Sequence, residues 1–324
     1  MTRIAVVHPG TQWSTSDVYD GLCYGLEAHG VDVVRVLPLW ALKEPVDAAI
    51  MVTAIRQPWV IHSLKSNGMP VVALFTESPY EQDKELDIAR QVQGCWTHER
   101  TAVATFKAVN EHVAYLPHAW HPAVHTPVPQ PGDDQVPAHD VVFVGSGFRE
   151  RVSFFNSIDW TGIDLGLYGI WDGLGLKPQV AKCLRGGTIP NTQAAALYRK
   201  AKIGLNLYRR LRTDLKPDRP ENWVTAESLN PRAYELAACR TLQISEWRAE
   251  LRPMFPVGSV VWFKSTEFAE IAIRSWLENH NADSRISNAW QSQNCVNGHS
   301  WTDRAGQVLQ DLHAWGLVPC LIAQ

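Results

Sequence analysis

The sequence predicts an α/β protein with two domains, each built around a doubly wound parallel sheet. Three observations lead to this prediction. The chain has 324 residues, which is enough for two domains of ordinary size. Short, continuously apolar runs alternate with longer amphipathic stretches, as expected for parallel strands that helices cover on both faces. A proline-rich segment interrupts this alternation near the middle of the chain, and the alternation then starts again.

The N-terminal domain is predicted to cover residues 1–124. Its first strand is expected at 3–8 and its first helix at 16–29, where Gly30 is a typical stop signal. Further apolar runs predict strands, which lie at 31–37, 48–53, 70–77, 94–97 and 112–116. Amphipathic stretches between them predict helices, which lie at 58–66, 80–92 and 100–109.

A linker is predicted at residues 125–139. Six prolines lie between Pro117 and Pro137, together with a Gly-Asp-Asp sequence. Proline fixes one backbone dihedral angle and removes a hydrogen-bond donor, so this composition is typical of a connection between domains.

The C-terminal domain is predicted to cover residues 140–305. Its strands are expected at 140–145, 163–169, 202–208, 241–245 and 259–264. Its helices are expected at 150–158, 191–200, 231–239 and 266–280. The last forty residues look helical throughout, and residues 306–324 are expected to return to the N-terminal domain as a helix.

Composition limits the class of protein. Thirty basic and 33 acidic residues give a net charge of −3, so the basic excess typical of nucleic-acid and anionic-lipid binders is missing. The six cysteines occur singly, without metal-ligand spacing, which predicts buried, reduced thiols. We expect a cytoplasmic protein without a membrane span, because no signal peptide or long apolar run is visible.

The first candidate binding motif follows the predicted strand at 140–145. The strand ends in Gly145-Ser146-Gly147 and opens a helix that carries Arg149 and Arg151 in its first turn. Backbone N–H groups at a helix start bind anions, and arginine can bind a diphosphate through two hydrogen bonds. A tight strand-to-helix turn without a ligand is the alternative interpretation.

The second motif starts the predicted helix at 231–239. Asn230 is suited to cap this helix and Pro231 to its first position, so Arg232 and Glu235 lie on one face near its start. The apolar residues that follow predict a buried helix, where a carboxylate needs a partner. A ribose diol is one such partner, and an ordinary ion pair with Arg232 is the other.

These motifs resemble those of GT-B glycosyltransferases of the glycosyl transferases group 1 family, in particular the spore maturation protein (CgeB-like) group. The resemblance extends over most of residues 70–305. Its segments, in chain order, are Leu74–Tyr80, Tyr115–His118, Phe143–Ser146 with Arg151, Leu167–Gly169, Ala201–Leu207, Asn230–Arg232 with Tyr234 and Glu235, and His299–Trp301 with Arg304.

The resemblance implies two Rossmann-like domains that face a central cleft, with a nucleotide sugar bound by the C-terminal domain. It implies a phosphate-binding role for Gly145, Ser146 and Arg151, and a ribose-binding role for Glu235. The backbone at Thr188 and Ile189 is expected to bind the base. Asn230 and Arg232 complete the donor-binding set. Glu227 has the spacing from Glu235 that many retaining members show, but it lacks the glycines usual around it.

The N-terminal domain is expected to bind the acceptor. His8 and Glu77 both lie at the carboxyl ends of predicted strands and are the candidate acid–base residues. Burial at the end of an apolar strand would raise the pKa of Glu77 and make it a suitable base. A structural role is the alternative for each, and His118 is interpreted as a marker of the hinge.

Two further features bear on ligands. Basic residues follow a predicted strand at Arg209, Arg210, Arg212, Lys216 and Arg219, which indicates either a solvated loop or a surface for an anionic acceptor. No paired carboxylates follow a strand, so we expect neither a metal nor a cofactor, the nucleotide sugar being a substrate.

The predicted function is sugar transfer from a nucleoside-diphosphate sugar to a hydroxyl acceptor, which could be a glycan, a modified nucleic acid or another anionic molecule. A nucleotide-sugar epimerase and a non-catalytic sugar-nucleotide-binding scaffold would have the same architecture, so both remain alternatives.

Overall fold

The computed structural model describes residues 2–10, 14–37, 42, 44–52, 58–210 and 226–319. By the contacts among its residues, the chain divides into two compact units. The first unit contains residues up to Ala119, residues 226–228 and the residues from His299 onward. The second unit contains Trp120–Arg210 and Leu229–Gly298.

The first unit is built on a sheet of six parallel strands. These are β1 (Arg3–Val7), β2 (Asp32–Val36), β3 (Ala48–Val52), β4 (Val71–Phe75), β5 (Gly94–Thr97) and β6 (Val113–Tyr115), in the spatial order β2-β1-β3-β4-β5-β6. Its helices include α1 (Ser14–Ala28), α2 (Pro58–Ser66), α3 (Gln82–Ala89) and α4 (Val103–Lys107). Every residue of β3, β4 and β5 is buried, because apolar clusters cover both faces of the sheet.

The second unit repeats this architecture. Its strands are β7 (Val141–Val144), β8 (Leu165–Tyr168), β9 (Leu184–Gly186), β10 (Ile203–Asn206), β11 (Gln243–Glu246) and β12 (Val261–Phe263), in the order β12-β11-β10-β7-β8-β9. Its helices are α5 (Arg149–Ser157), α6 (Pro178–Ala181), α7 (Asn191–Lys200), α8 (Pro231–Ala238), α9 (Leu251–Met254), α10 (Thr266–Glu278) and α11 (Ala282–Cys295). The predicted fold class, α/β with two doubly wound parallel sheets, is confirmed.

The last helix, α12 (Trp301–Ala314), belongs to the first unit and packs on α1. Two glycines of α1 make this packing close. A Cβ atom at Gly21 would lie 2.2 Å from the Trp301 ring, and one at Gly25 would lie 2.2 Å from the Trp301 carbonyl oxygen. Ser300 caps the helix with a capping box.

The proline-rich segment packs as part of the second unit. Asp133 forms a largely buried ion pair of 2.6 Å with Arg199 on α7, and Lys200 Nζ donates to the carbonyl of Val136 at 2.5 Å. These contacts attach the segment 133–136, which lies within the predicted linker, to a helix of the second unit.

Two expectations differ from the structure. The continuous helix predicted for the last forty residues is wrong between α11 and α12, because Gly298 has a φ of 75° and Ser300 starts a new helix. Of the cysteines in the described ranges, Cys183 and Cys295 are half-buried and the others are buried.

None of the described helices has the length and apolarity needed to cross a membrane.

Candidate active site

The second unit has a topological switch point between β7 and β10. These strands are neighbours, but the chain continues from β7 to β8 on one side and from β10 to β11 on the other. Ligands of open α/β sheets bind in the crevice outside the carboxyl ends of the strands at such a point. We call this region the switch-point crevice and define it by residues 145–148 after β7 and 207–210 after β10.

Gly145 allows a close approach across the crevice. A Cβ atom at this position would lie 2.5 Å from Nη2 of Arg232. The φ angle of Gly145 is 158°. The N–H groups of Gly145 and Gly147 donate to the carbonyls of Tyr168 and Ile170, each at 2.8 Å. The candidate anion-binding N–H groups are therefore those of the first turn of α5, whose N-cap residue, Phe148, supplies no side-chain cap.

Arg151 is buried on α5 and reaches across the crevice. Its Nη1 donates to the carbonyl of Ser146 at 2.8 Å, and its Nη2 donates to the carbonyl of Leu207 at 3.0 Å. The guanidinium also lies over the rings of Phe143 and Phe148, at 5.3 and 4.8 Å from their centroids. The side chain thus connects the two loops that define the crevice.

Arg232 reaches the same place from α8. It donates to the carbonyls of Val144 and Leu207, the latter at 3.4 Å, and lies 4.5 Å from the centroid of the Phe143 ring. Within the described part of the chain, Arg232 forms no ion pair with a carboxylate, and the alternative pair with Glu235 is not formed.

The start of α8 has the predicted local structure. Asn230 Oδ1 accepts from the N–H of Ala233 at 3.2 Å, and Pro231 occupies the first helical position. Glu235 is half-buried one turn into the helix. Burial raises the pKa of the Tyr198 hydroxyl, and the nearby Glu235 carboxylate adds to this effect.

The loop predicted to bind the base follows β9, at the same sheet edge as the crevice. Thr188 is exposed and Ile189 is half-buried against an apolar cluster of the second unit. Pro190 precedes α7 and supplies no side-chain cap. The loop therefore offers an exposed residue beside a partly apolar surface.

The first unit carries His8 at the carboxyl end of β1. Its Nδ1 accepts from the N–H of Gly10 at 3.1 Å, and its ring packs edge-on against Tyr19 at 4.8 Å. Burial lowers the pKa of His8, with Asp20 opposing the shift. A neutral imidazole that accepts at Nδ1 carries its proton on Nε2, so this nitrogen is a donor.

Asp17 was not predicted from the sequence. It lies in the first turn of α1, and burial together with the nearby Asp20 raises its pKa to about 7. A carboxyl with this pKa is suited to acid–base work near neutral pH. An acidic residue in a helix's first turn is so common that the sequence alone gave no signal.

Glu77 lies two residues after β4 and is half-buried. Its N–H donates to Oε1 of Glu85 at 2.9 Å, and the hydroxyl of Ser78 forms a hydrogen bond with Oε2 of the same carboxyl group. Glu85 is fully buried on α3, and burial raises its pKa to about 8. Glu85, which was also not predicted, therefore holds the backbone of the loop that carries Glu77.

Glu227 lies in the first unit, whereas Glu235 belongs to the second. The N–H groups of Glu227 and Ser228 donate to Oε2 of Glu99 at 3.1 and 3.2 Å.

His98, next to Glu99 in sequence, packs against His118, with ring centroids 4.3 Å apart. His118 is buried within the first unit, and burial lowers its pKa well below the usual value.

Only part of the basic stretch can be described. Arg210 forms a 2.7 Å ion pair with Glu246, and its N–H donates to Glu150. Both contacts border a cavity of about 340 Å³ beside Arg151. Arg209 lies over the ring of Phe148 at 5.4 Å. The remaining members, Arg212, Lys216 and Arg219, lie outside the described residues.

No group of three or more His, Cys, Asp or Glu side chains in the described ranges could hold a metal ion.

Sequence comparison gives one family. A model described as glycosyl transferase-like matches residues 149–310, which is half of the chain. The match begins at the first residue of α5 and includes Arg151, Arg232 and Glu235. No curated protein sequence matches the chain.

Structure comparison finds glycosyltransferases of the GT-B fold. Sucrose-phosphate synthase of Thermosynechococcus elongatus has a TM-score of 0.65 at 13% identity, over 97% of this chain and 100% of that one. Anabaena HepE in complex with UDP-glucose has a TM-score of 0.65 at 9% identity, over 97% and 100%. T4 phage β-glucosyltransferase has a TM-score of 0.60 at 12% identity, over 98% and 100%. These likenesses show the fold.

Proposed function

The chain belongs to the glycosyl transferase-like family, and from this premise we propose that it transfers a sugar from a nucleoside-diphosphate sugar to a hydroxyl group of an acceptor. The observation that carries the proposal is the meeting of Arg151 and Arg232 at the carbonyl of Leu207 in the switch-point crevice. Two guanidinium groups at one point of the crevice, one of them without an ion-pair partner among the described residues, favour a ligand with two negative charges.

The diphosphate of the donor is the group that fits this charge. Its oxygens would accept from the first turn of α5 and from the two arginines, which hold more donors than their backbone contacts use. Gly145 and Ser146 would border the diphosphate. HepE, which shares the fold, binds UDP-glucose, and this supports a nucleotide sugar as the donor.

The remainder of the donor would extend along the same sheet edge. The carboxylate of Glu235 would accept from the ribose hydroxyls, and Asn230 would hold the helix start that presents it. The backbone at Thr188 and Ile189 would bind the base, since an exposed loop beside a partly apolar surface suits a flat heterocycle.

Catalysis would depend on stabilising the negative charge that develops on the leaving group. As the bond from sugar to phosphate breaks, negative charge builds on the nucleoside diphosphate, and fixed cationic donors stabilise it. Arg151 and Arg232 would supply this stabilisation, so we propose that the reaction needs no metal ion and no cofactor. A hexose is the sugar class that we expect.

The first unit would supply the acid–base residue. Glu77 is our leading candidate for the group that takes the acceptor hydroxyl's proton. His8 is the second candidate, but its Nδ1 already accepts from Gly10, so its free nitrogen is a donor in the neutral form. His8 would then bind the acceptor or the sugar rather than remove a proton.

We propose that the protein is a member of the spore maturation protein (CgeB-like) group, because segments of its sequence resemble that group. The acceptor is proposed to be a hydroxyl on a glycan or on another anionic molecule. The structural relative from T4 phage is a DNA-modifying enzyme. Arg209, after β10, is a candidate contact for such an acceptor, whereas the charge of Arg210 is already paired with Glu246.

The test is donor hydrolysis without an acceptor. Purified protein is incubated with UDP-, GDP-, ADP- and dTDP-sugars, and the products are identified by mass spectrometry and NMR. A transferase releases free sugar and the nucleoside diphosphate by slow transfer to water. An epimerase returns an isomerised nucleotide sugar, and a scaffold leaves the donor unchanged, so either result would contradict the proposal. Arg232→Ala should slow the release of free sugar. Arg185→Ala, which alters an exposed arginine of the same unit, is the matched control and should leave the rate unchanged.

A further inference from the structure

Asn206 is a buried polar residue at the end of an apolar strand. It is the last residue of β10, and its exposed fraction is 0%. The residues before it, Ile203, Gly204 and Leu205, are buried as well. A buried amide is costly unless its hydrogen bonds are made, so its partners show what the side chain is held for.

Those partners lie on two neighbouring elements. Oδ1 of Asn206 accepts from Nδ2 of Asn230 at 2.8 Å and lies 3.5 Å from Nη1 of Arg232. Nδ2 of Asn206 donates to the hydroxyl of Ser245 on β11 at 3.2 Å. One amide group thus connects β10 to β11 and to the first residues of α8.

The orientation of this amide follows from the helix cap. Oδ1 of Asn230 accepts from the N–H of Ala233, which leaves Nδ2 of Asn230 to donate. Its acceptor is Oδ1 of Asn206, so the N–H₂ group of Asn206 must turn towards Ser245. The cap of α8 and the end of β10 are therefore coupled through two side-chain amides.

We infer that Asn206 is a positioning residue that sets the place of Arg232 at the diphosphate by holding the Asn230 cap. This inference rests on the proposed function, because it concerns the same donor site. Arg232 is two residues after the cap, so a shift of the helix start moves its guanidinium relative to Leu207. Asn206 acts through Asn230 and Arg232 and needs no contact with the ligand.

A purely structural role would give a different result. A buried amide that only stabilises the unit would lower the melting temperature when removed and leave nucleotide affinity unchanged. Asn288 is the matched control for this case. It is a buried asparagine of the same unit, it lies on α11, and its side chain donates to the carbonyl of Gly258. Asn288→Ala should lower stability without changing the affinity of the folded protein.

The test compares Asn206→Ala in two backgrounds by calorimetric titration with UDP, GDP, ADP and dTDP. In the wild-type background, we expect about a tenfold loss of affinity for the preferred diphosphate. The affinity for the corresponding nucleoside should change by less than about twofold. In the Arg232→Ala background, the same substitution should cost less than about twofold, since the two residues act as one unit. Equal losses in both backgrounds, or an unchanged affinity in the first, would overturn the inference.

Hydrogen exchange provides a readout that needs no ligand. Asn206→Ala should speed exchange of the Ala233 amide about tenfold, because the cap that protects it is loosened. Asn206→Asp keeps the acceptor for Asn230 and should restore the wild-type exchange rate within about twofold. Unchanged exchange in Asn206→Ala would contradict the coupling to α8. Faster exchange in a protein that binds none of the diphosphates would instead overturn the proposed function and support the coupling.

Discussion

Arg151 on α5 and Arg232 on α8 donate to the same carbonyl oxygen, that of Leu207, at 3.0 and 3.4 Å. The ring of Phe143 lies next to both guanidinium groups. Two like charges are thus held together at the end of β10 by backbone carbonyls and a ring face. The two guanidinium charges repel each other unless an anion is bound between them. This repulsion favours the binding of a diphosphate.

Gly145→Ala is expected to weaken nucleoside diphosphate binding by about tenfold or more, because the new Cβ would displace Arg232. Calorimetric titration measures this change. Gly162→Ala is the matched control, since Gly162 also has a positive φ, of 79°, but among the described residues beyond its chain neighbours no atom lies within 4 Å of the added Cβ. If both variants bind the nucleotide as wild type does, the close approach of Arg232 at Gly145 has no role in binding.

Glu77→Gln keeps the shape of the side chain but removes the base. We expect turnover to fall by about a hundredfold, with donor affinity preserved. Steady-state kinetics and donor titration measure the two quantities separately. Glu111→Gln, at an exposed carboxylate of the same unit, should leave both unchanged. Turnover within a few-fold of wild type would make Glu77 structural and favour Asp17 as the base.

Glu85 should make stability depend on pH. Burial raises its pKa to about 8 in the folded protein, so between its unfolded pKa and pH 8 the folded state binds the extra proton. The contribution is therefore complete at acid pH and is lost as the pH rises through this window, by at most about 1.4 kcal/mol per pH unit.

Chemical denaturation of wild type and Glu85→Gln across the range from about pH 5 to pH 8 measures this effect. The difference in unfolding free energy, wild type minus variant, should decrease as the pH rises. A difference that stays constant, or that increases, would show that Glu85 is ionised throughout the range. The comparison cancels contributions from other titrating groups, such as Asp17 and His118.

Glu235→Ala is expected to weaken nucleoside diphosphate binding by about 1.5–3 kcal/mol, the range for hydrogen bonds to a charged group. The ribose itself provides the decisive comparison. Wild type should discriminate against the 2′,3′-dideoxy nucleotide and the variant should not. Equal binding of the dideoxy analogue and its parent by wild type would mean that Glu235 does not contact the ribose.

Much of the fold could be predicted from apolar periodicity. The strand at Gly94–Thr97 and the helices at Pro58–Ser66 and Asn191–Lys200 have the predicted bounds. β9 was not predicted, because Leu184–Gly186 is a short edge strand that contains a charged residue and a glycine instead of an apolar run. Edge strands need fewer apolar residues, so periodicity does not detect them.

The candidate site was only partly predictable. The motif around Asn230 gave the helix cap and the neighbouring Arg232, because capping depends on local sequence. Asn206 and Glu85 were not predicted as site residues, because their roles depend on partners that are distant in sequence or fixed by burial. Asn206 bonds to a residue 24 positions away, and a polar residue in an apolar strand does not reveal such a partner.

Calorimetric titration of Arg151→Ala and Arg232→Ala with the nucleoside diphosphate that wild type prefers tests whether the switch-point crevice binds the donor diphosphate. We expect each substitution to weaken binding by about 2–4 kcal/mol, the cost of losing a buried charge-assisted contact. Arg151→Ala should also lower the melting temperature, because Arg151 connects two loops. Arg185→Ala should change neither quantity. Wild-type affinity in both folded variants would contradict a donor diphosphate at the switch-point crevice.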